Sequence, residues 1–75
     1  MRISLRAFGL LSDYTKPLGG ESVETAASDL RALLLQLSIP EELVMLATVN
    51  GEAADFDRGL QEGDRVILVP PVAGG

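Results

Sequence analysis

Arg65-Val66-Ile67-Leu68-Val69-Pro70-Pro71-Val72-Ala73-Gly74-Gly75 is the last stretch of the 75-residue sequence. Val66 and Leu68 alternate with Ile67 and Val69, so both faces of this segment are apolar. A strand covered on only one side alternates apolar with polar; one apolar on both sides belongs in the middle of a sheet. Residues 65–69 are therefore predicted to be a central strand. Pro70 and Pro71 lack the N–H that a ladder needs, so pairing stops there and the chain leaves the sheet extended. Val72 and Ala73 are small and Gly74-Gly75 has no side chain. Six extended residues reach roughly 20 Å. The expected organisation is a folded domain over 1–69 and a protruding tail over 70–75.

The rest of the sequence supplies the partners of that strand. In residues 2–8, Ile3, Leu5 and Ala7 share one face, and Arg2, Ser4, Arg6 and Phe8 the other. This is the period of a half-buried strand; Gly9 interrupts it. Residues 11–20 read as a connection, with Pro17, Gly19 and Gly20 as turn signals. Residues 21–25 predict a short polar strand near an edge, hairpinned to the first, with Val23 inward. Leu30, Leu33, Leu34 and Leu37 follow the stripe spacing of a helix over 28–37. Burying four leucines is worth roughly 6 to 12 kcal/mol at most. Thr25 or Ser28 is the expected cap, Asp29 suits the helix dipole, and Pro40 stops the helix. Residues 43–49 predict a third strand, Asn50-Gly51 a tight turn, and residues 52–54 a short strand pairing back. Residues 55–62 read as a loop over Phe56 and Leu60, and Gly63-Asp64 as a further turn. The class is α+β: a mixed sheet with one main helix on one face.

Composition narrows the chemistry. There is no cysteine and no histidine. Thiol nucleophiles, redox pairs, cysteine-built zinc sites and the commonest general base are all excluded, and no metal site is expected. So small a domain rarely encloses a catalytic pocket. The net charge of −5 argues against nucleic acid as a partner. No apolar run approaches the ~20 residues of a membrane span, and Met1-Arg2 opens a strand pattern rather than a signal peptide. The expectation is a cytoplasmic protein with no membrane or nucleic-acid partner, and no enzyme in its own right.

The tail is shaped to present a bare carboxylate to another protein's narrow active site. Glycine adopts any backbone angle and leaves the reacting carbonyl unshielded. Gly19-Gly20 is an internal contrast, since turn chemistry alone explains that pair. Val49-Asn50-Gly51-Glu52, Leu60, Glu62-Gly63-Asp64-Arg65-Val66 and the Pro70-to-Gly75 ending closely resemble the MoaD/ThiS family of sulfur carriers. Phe8-Gly9 after the first strand and the helix position match as well. The ending looks more like the molybdopterin synthase small subunit than the thiamine carrier.

The resemblance implies a ubiquitin-like β-grasp fold. It implies that Gly75 is adenylated by an adenylyltransferase resembling ubiquitin-activating enzymes and converted to a thiocarboxylate. ATP would be used by that partner, with no cofactor bound to the chain itself. It implies a second partner, the molybdopterin synthase large subunit or an equivalent sulfur acceptor. Gly74, Ala73, Val72, Pro71 and Pro70 would thread the partner's channel, and Phe8, with Ile67 or Val69, would meet its surface. Where molybdopterin-type members often carry an Arg-Glu pair after the first strand, this sequence has Leu10-Leu11-Ser12-Asp13. The resemblance implies sulfur donation in molybdopterin or tungsten-pterin cofactor synthesis; thiamine, cysteine and tRNA thiolation, and protein tagging, are the alternative pathways.

The remaining polar features read as surface. Glu21 with Glu24, Asp55 with Asp57, and Glu41-Glu42 flank loops and an edge, where solvated charge is the rule. Lys16 reads as an exposed loop lysine, and Asp64 as a turn residue.

Overall fold

The computed structural model describes residues 1–16 and 21–71. Five strands make one sheet: β1 (Arg2–Ala7), β2 (Ser22–Glu24), β3 (Leu46–Val49), β4 (Glu52–Ala53) and β5 (Arg65–Val69). Their order is β2-β1-β5-β3-β4. β5 runs parallel to β1 and antiparallel to β3, while β1–β2 and β3–β4 are antiparallel hairpin pairs. The sheet is thus mixed, β5 is its centre, and β2 lies at an edge, as the sequence patterns predict. The pairs Pro17-Leu18 and Gly19-Gly20, and with them the expected turn signals of the first connection, lie outside the described residues.

One helix, α1 (Leu30–Gln36), covers one face of the sheet. Leu30, Leu33 and Leu34 are buried against Ile3 and Leu5 of β1, Ala47 and Val49 of β3, and Val66 and Leu68 of β5. Leu37 is only partly buried, at the helix end. Neither Thr25 nor Ser28 caps α1. Asp29 does: its extended backbone (φ −148°) lets the carboxylate accept from Ala32 N–H at 2.8 Å. Asp29 sits next to the first helical residue, which puts its side chain within reach of the third free N–H. Thr25 instead accepts from Ala27 N–H at 2.9 Å and bonds the Gln36 side chain. The helix ends before Pro40. Ser38 takes a left-handed φ of 61°, and Ile39 N–H reaches back to Leu34 C=O at 2.9 Å, which satisfies a carbonyl the helix would leave bare.

Two connections depart from expectation. After β1 the chain makes a 3-10 turn, Gly9–Tyr14, whose Leu11 is fully buried. The predicted third strand begins three residues late, because Glu41–Leu43 winds into a second 3-10 turn after Pro40. The loop after β4 behaves as predicted: Leu60 is buried and Phe56 packs against the core.

Candidate functional site

The outgoing end of β5 is where the sequence places the working part of the molecule. The ladder registers fix what lies on the sheet face opposite α1. Arg6, Ile67 and Thr48 form one row across β1, β5 and β3. One step toward the end of β5, Val69 pairs with Leu46, and the parallel register carries Phe8 to its other side. Phe8 keeps an extended backbone (φ −106°, ψ 162°) and donates its N–H to Leu68 C=O at 3.1 Å. It therefore continues the β1 alternation and falls on the same face as Arg6. One step the other way, the row is Ser4 and Arg65. The open face thus grades from polar at the start of β5 to apolar at its end.

A local defect in β3 enlarges the apolar end. Val69 C=O accepts from Met45 N–H at 2.8 Å, although the register sets Val69 opposite Leu46. Two residues thus oppose one, the count of a β-bulge. The pleat skips a beat there. Val44 and Ala47 point into the core, and Met45 and Leu46 between them both stay exposed, at 67% and 43%. Phe8 is 46% exposed and Leu10 51%. Large apolar side chains so clustered at one end of a sheet mark an interaction surface more often than isolated ones do. The sequence reading named Phe8, Ile67 and Val69 for this surface; it missed Leu46 and Met45. Unbroken apolar character from Leu43 onward disguised the bulge as continuous strand.

Pro70 ends the ladder as predicted. It lies against Gly9: a Cβ added to that glycine would sit 3.0 Å from Pro70 Cγ. Gly9 also has a φ of 56°. This close approach sets where the chain departs from the sheet. Pro71 is half-buried. Val72, Ala73, Gly74 and Gly75 lie outside the described residues.

The start of β5 is built differently. Asp64, only 8% exposed, accepts from Gln61 N–H at 2.8 Å and from Asn50 Nδ2 at 2.9 Å. Asn50 in turn accepts from Arg65 N–H at 2.9 Å and donates its own N–H to Arg65 C=O at 2.8 Å. The Gln61 N–H first, then the Asn50 amide, hold the Asp64 carboxyl below the ordinary aspartate range; burial opposes them and the Arg58 charge assists. Asp64 is a structural turn residue, as the sequence suggested.

The carboxylate pairs are surface charge. Arg6 bonds Glu21 at 3.0 Å and Arg2 bonds Glu24 at 3.3 Å. Arg31 ties Glu41 at 2.9 Å and also holds Asp57, which raises the guanidinium's pKa, the Asp57 hydrogen bond contributing most. Lys16 is exposed beside Asp13 at 3.0 Å. Among the described residues no three potential ligands cluster to hold a metal, and no helix is long and apolar enough to cross a membrane.

A mixed five-stranded sheet with central parallel strands and one helix across a single face is the ubiquitin-like β-grasp, and this chain is a protein of that class. Over residues 5–75 it matches the model of the ThiS family, and it belongs to that family. A molybdopterin synthase sulfur carrier subunit from Phaeosphaeria nodorum is 37% identical over 43 residues, 57% of this chain. That match spans 45% of the relative, so the chain answers to about half of its length. Among solved structures, the complex of subunits 1 and 2 of molybdopterin-converting factor from Helicobacter pylori contains a chain 31% identical, with a TM-score of 0.59 and full coverage of both chains. The small archaeal modifier protein 1 of H. volcanii is 19% identical with a TM-score of 0.64, covering 95% of this chain and 98% of that one; it attests the fold.

Proposed function

We propose that the chain is a sulfur carrier of the molybdopterin synthase small-subunit type, and that it acts as the substrate of partner enzymes rather than as a catalyst. The observation that carries this reading is the apolar end of the sheet, Phe8–Val69–Leu46 with Met45, surrounding the point where Pro70 takes the chain off β5. Partner enzymes must grip the carrier beside its tail. The Phaeosphaeria nodorum relative supports sulfur as the cargo, and that relative with the Helicobacter pylori one supports the molybdopterin pathway as its destination.

The chemistry then runs at Gly75. Its carboxylate oxygen attacks the α-phosphorus of ATP held by an adenylyltransferase resembling ubiquitin-activating enzymes, and pyrophosphate leaves. A sulfide equivalent from a donor attacks the acyl carbon. AMP departs with the former carboxyl oxygen, one proton is released, and a thiocarboxylate remains. In a large subunit, or an equivalent acceptor, that sulfur attacks a carbon of the pterin precursor and displaces an oxygen leaving group, the C–O bond breaking as the C–S bond forms; water then hydrolyses the acyl–sulfur bond, which leaves the sulfur on the pterin and restores the carboxylate. No oxidant or reductant is needed at the carrier. Gly74, Ala73, Val72, Pro71 and Pro70 serve as the thread through the partner's channel. Glycine at the last two positions keeps the acyl carbon open to both nucleophile and nucleotide.

Intact-mass analysis after incubation with ATP, the adenylyltransferase and a sulfur donor tests the reading. The expected product carries one sulfur in place of one oxygen, and a chain lacking Gly75 does not form it. An unchanged mass with a competent activator and donor would overturn the proposal.

A further inference from the structure

Away from the apolar end, the open face carries a hollow of about 190 Å³ between β1 and β5. It is lined by Ser4, Arg6, Glu21, Arg65, Val66 and Ile67. The register sets Ser4 opposite Arg65 and Arg6 opposite Ile67, so the two arginines are diagonal neighbours on one face. Strand spacing and rise put their Cα atoms on the order of 8 Å apart, within reach of a shared anion. Arg6 uses one nitrogen on Glu21: its Nη2 meets the two carboxylate oxygens at 3.0 and 3.3 Å. Arg65 is exposed, and among the described residues its guanidinium has no acidic partner. Only its main chain is engaged, by Asn50. The acids of the sheet stand elsewhere. Glu24 and Glu21 lie at the β2 edge, and Glu52 of β4 shares the face of its ladder partner Val49, which points into the core. Across β1, β5, β3 and β4 the open face carries Arg2, Arg6 and Arg65, half of the six basic residues in a chain of net charge −5, and no acid. Arg2 is engaged by Glu24 and Ser22.

We propose that this hollow receives an aspartate or glutamate side chain of the enzyme that adenylates Gly75, and that Arg65, with Arg6 beside it, is how that enzyme selects this carrier. A planar guanidinium holds a carboxylate through two parallel N–H bonds, a geometry that a point charge does not enforce. The hollow is continuous with the apolar end: Arg65, Ile67 and Val69 follow one another on one face of β5. The partner's acid must therefore stand roughly 13 Å from whatever it sets against Val69. Charge disfavours the other occupants. Two copies meeting by this face would set arginine against arginine. A nucleic acid would meet Glu21 and Glu24 at the rim. The chain's own terminus is steered off the sheet by Pro70 and Pro71, which favour an extended exit. The identity of the partner rests on the sulfur-carrier reading; the chemistry of the hollow does not.

The test uses the full chain with ATP and the adenylyltransferase, reading carrier KM and kcat from pyrophosphate release. Arg65→Gln should raise KM about threefold to tenfold and leave kcat unchanged, and Arg65→Glu should raise KM more than about tenfold. Arg6→Gln should raise KM about twofold to fivefold, and it decides the matter should the Arg65 variants fail to fold. Arg58→Gln, an equal loss of charge on the α1 side, where Arg58 C=O accepts from Leu30 N–H, should leave KM unchanged. Added salt should raise the wild-type KM and narrow its gap to Arg65→Gln. Arg65→Lys keeps the charge and supplies an amine, so carbodiimide should couple that amine to an aspartate or glutamate of the enzyme, located by peptide mass mapping. A KM unmoved by Arg65→Glu and Arg6→Gln, or moved equally by Arg58→Gln, would overturn the inference, while adenylation of the wild type would leave the carrier reading standing. An Arg65 Nε resonance that shifts when residues 72–75 are removed would assign the hollow to the chain's own terminus, and would overturn it as well. A wild-type chain that releases no pyrophosphate overturns the carrier reading, and the inference with it.

Discussion

At its start β5 is held by side chains as well as main chain, and at its end by main chain alone. Three hydrogen bonds of 2.8–2.9 Å tie Asn50 of the β3–β4 turn to Asp64 and Arg65, and a fourth, from Gln61 N–H to Asp64 at 2.8 Å, closes the turn before β5. At the other end, Phe8 N–H and Met45 N–H reach Leu68 C=O and Val69 C=O, and then Pro70 removes the next donor. Around that end the side chains are apolar and exposed. One strand thus joins an anchored, polar end to an unclosed, apolar one. The carrier role proposed above needs both. The anchored end stabilises a fold this small, and leaving the other end uncovered costs stability that only a partner's surface can restore.

The comparison makes ordered predictions. Leu68→Ala removes a fully buried side chain shared by both ends and should cost about 2–5 kcal/mol in urea unfolding. A cost below that range would mean the sheet core is looser than the packing indicates. Asp64→Ala strands the Gln61 N–H and the Asn50 amide and should cost about 1–3 kcal/mol. Asp64 has its folded pKa lowered, so its stabilisation is complete above the ordinary aspartate range and is lost as pH falls through the folded value. Asp64→Asn should flatten that acid limb in a pH series of thermal melts; an unaltered limb would separate the carboxylate from the anchor. Gly9→Ala places a Cβ in a left-handed residue and 3.0 Å from Pro70, so it should cost about 1–2 kcal/mol and shift the Pro70 resonances. At the apolar end, Phe8→Ser and Leu46→Ser should each change stability by less than about 1 kcal/mol while weakening partner binding. A large loss of stability there would make the patch part of the core rather than an interface.

The legible parts of the sequence were those with a clear period. The apolar run of 65–69 ending in two prolines marked the central strand and its exit, and the leucine stripe marked α1. Asn50-Gly51 marked the hairpin, with Asn50 taking the positive φ (55°) that turn requires. The illegible parts had no period. Leu11 is buried from a 3-10 turn, whose single inward residue leaves no repeat to detect. Met45 and Leu46 fit an unbroken strand equally well, because a bulge changes where a side chain points and not what it is. Asp29 was read for its charge and acts through its reach to Ala32 N–H. The face of Phe8 depended on register, which only the paired strands supply.

The central claim is that the outgoing end of β5 is the end partner enzymes use. Its most direct test is the initial rate of thiocarboxylate formation on Gly75, followed by intact mass, for Phe8→Ser combined with Leu46→Ser beside Asp64→Asn. Both proteins are assayed at a temperature where circular dichroism shows them folded. The double variant should lose about tenfold or more in rate at subsaturating carrier, the scale of one lost interface anchor, and Asp64→Asn should keep the wild-type rate. A double variant as fast as wild type, or a loss confined to Asp64→Asn, would contradict the account.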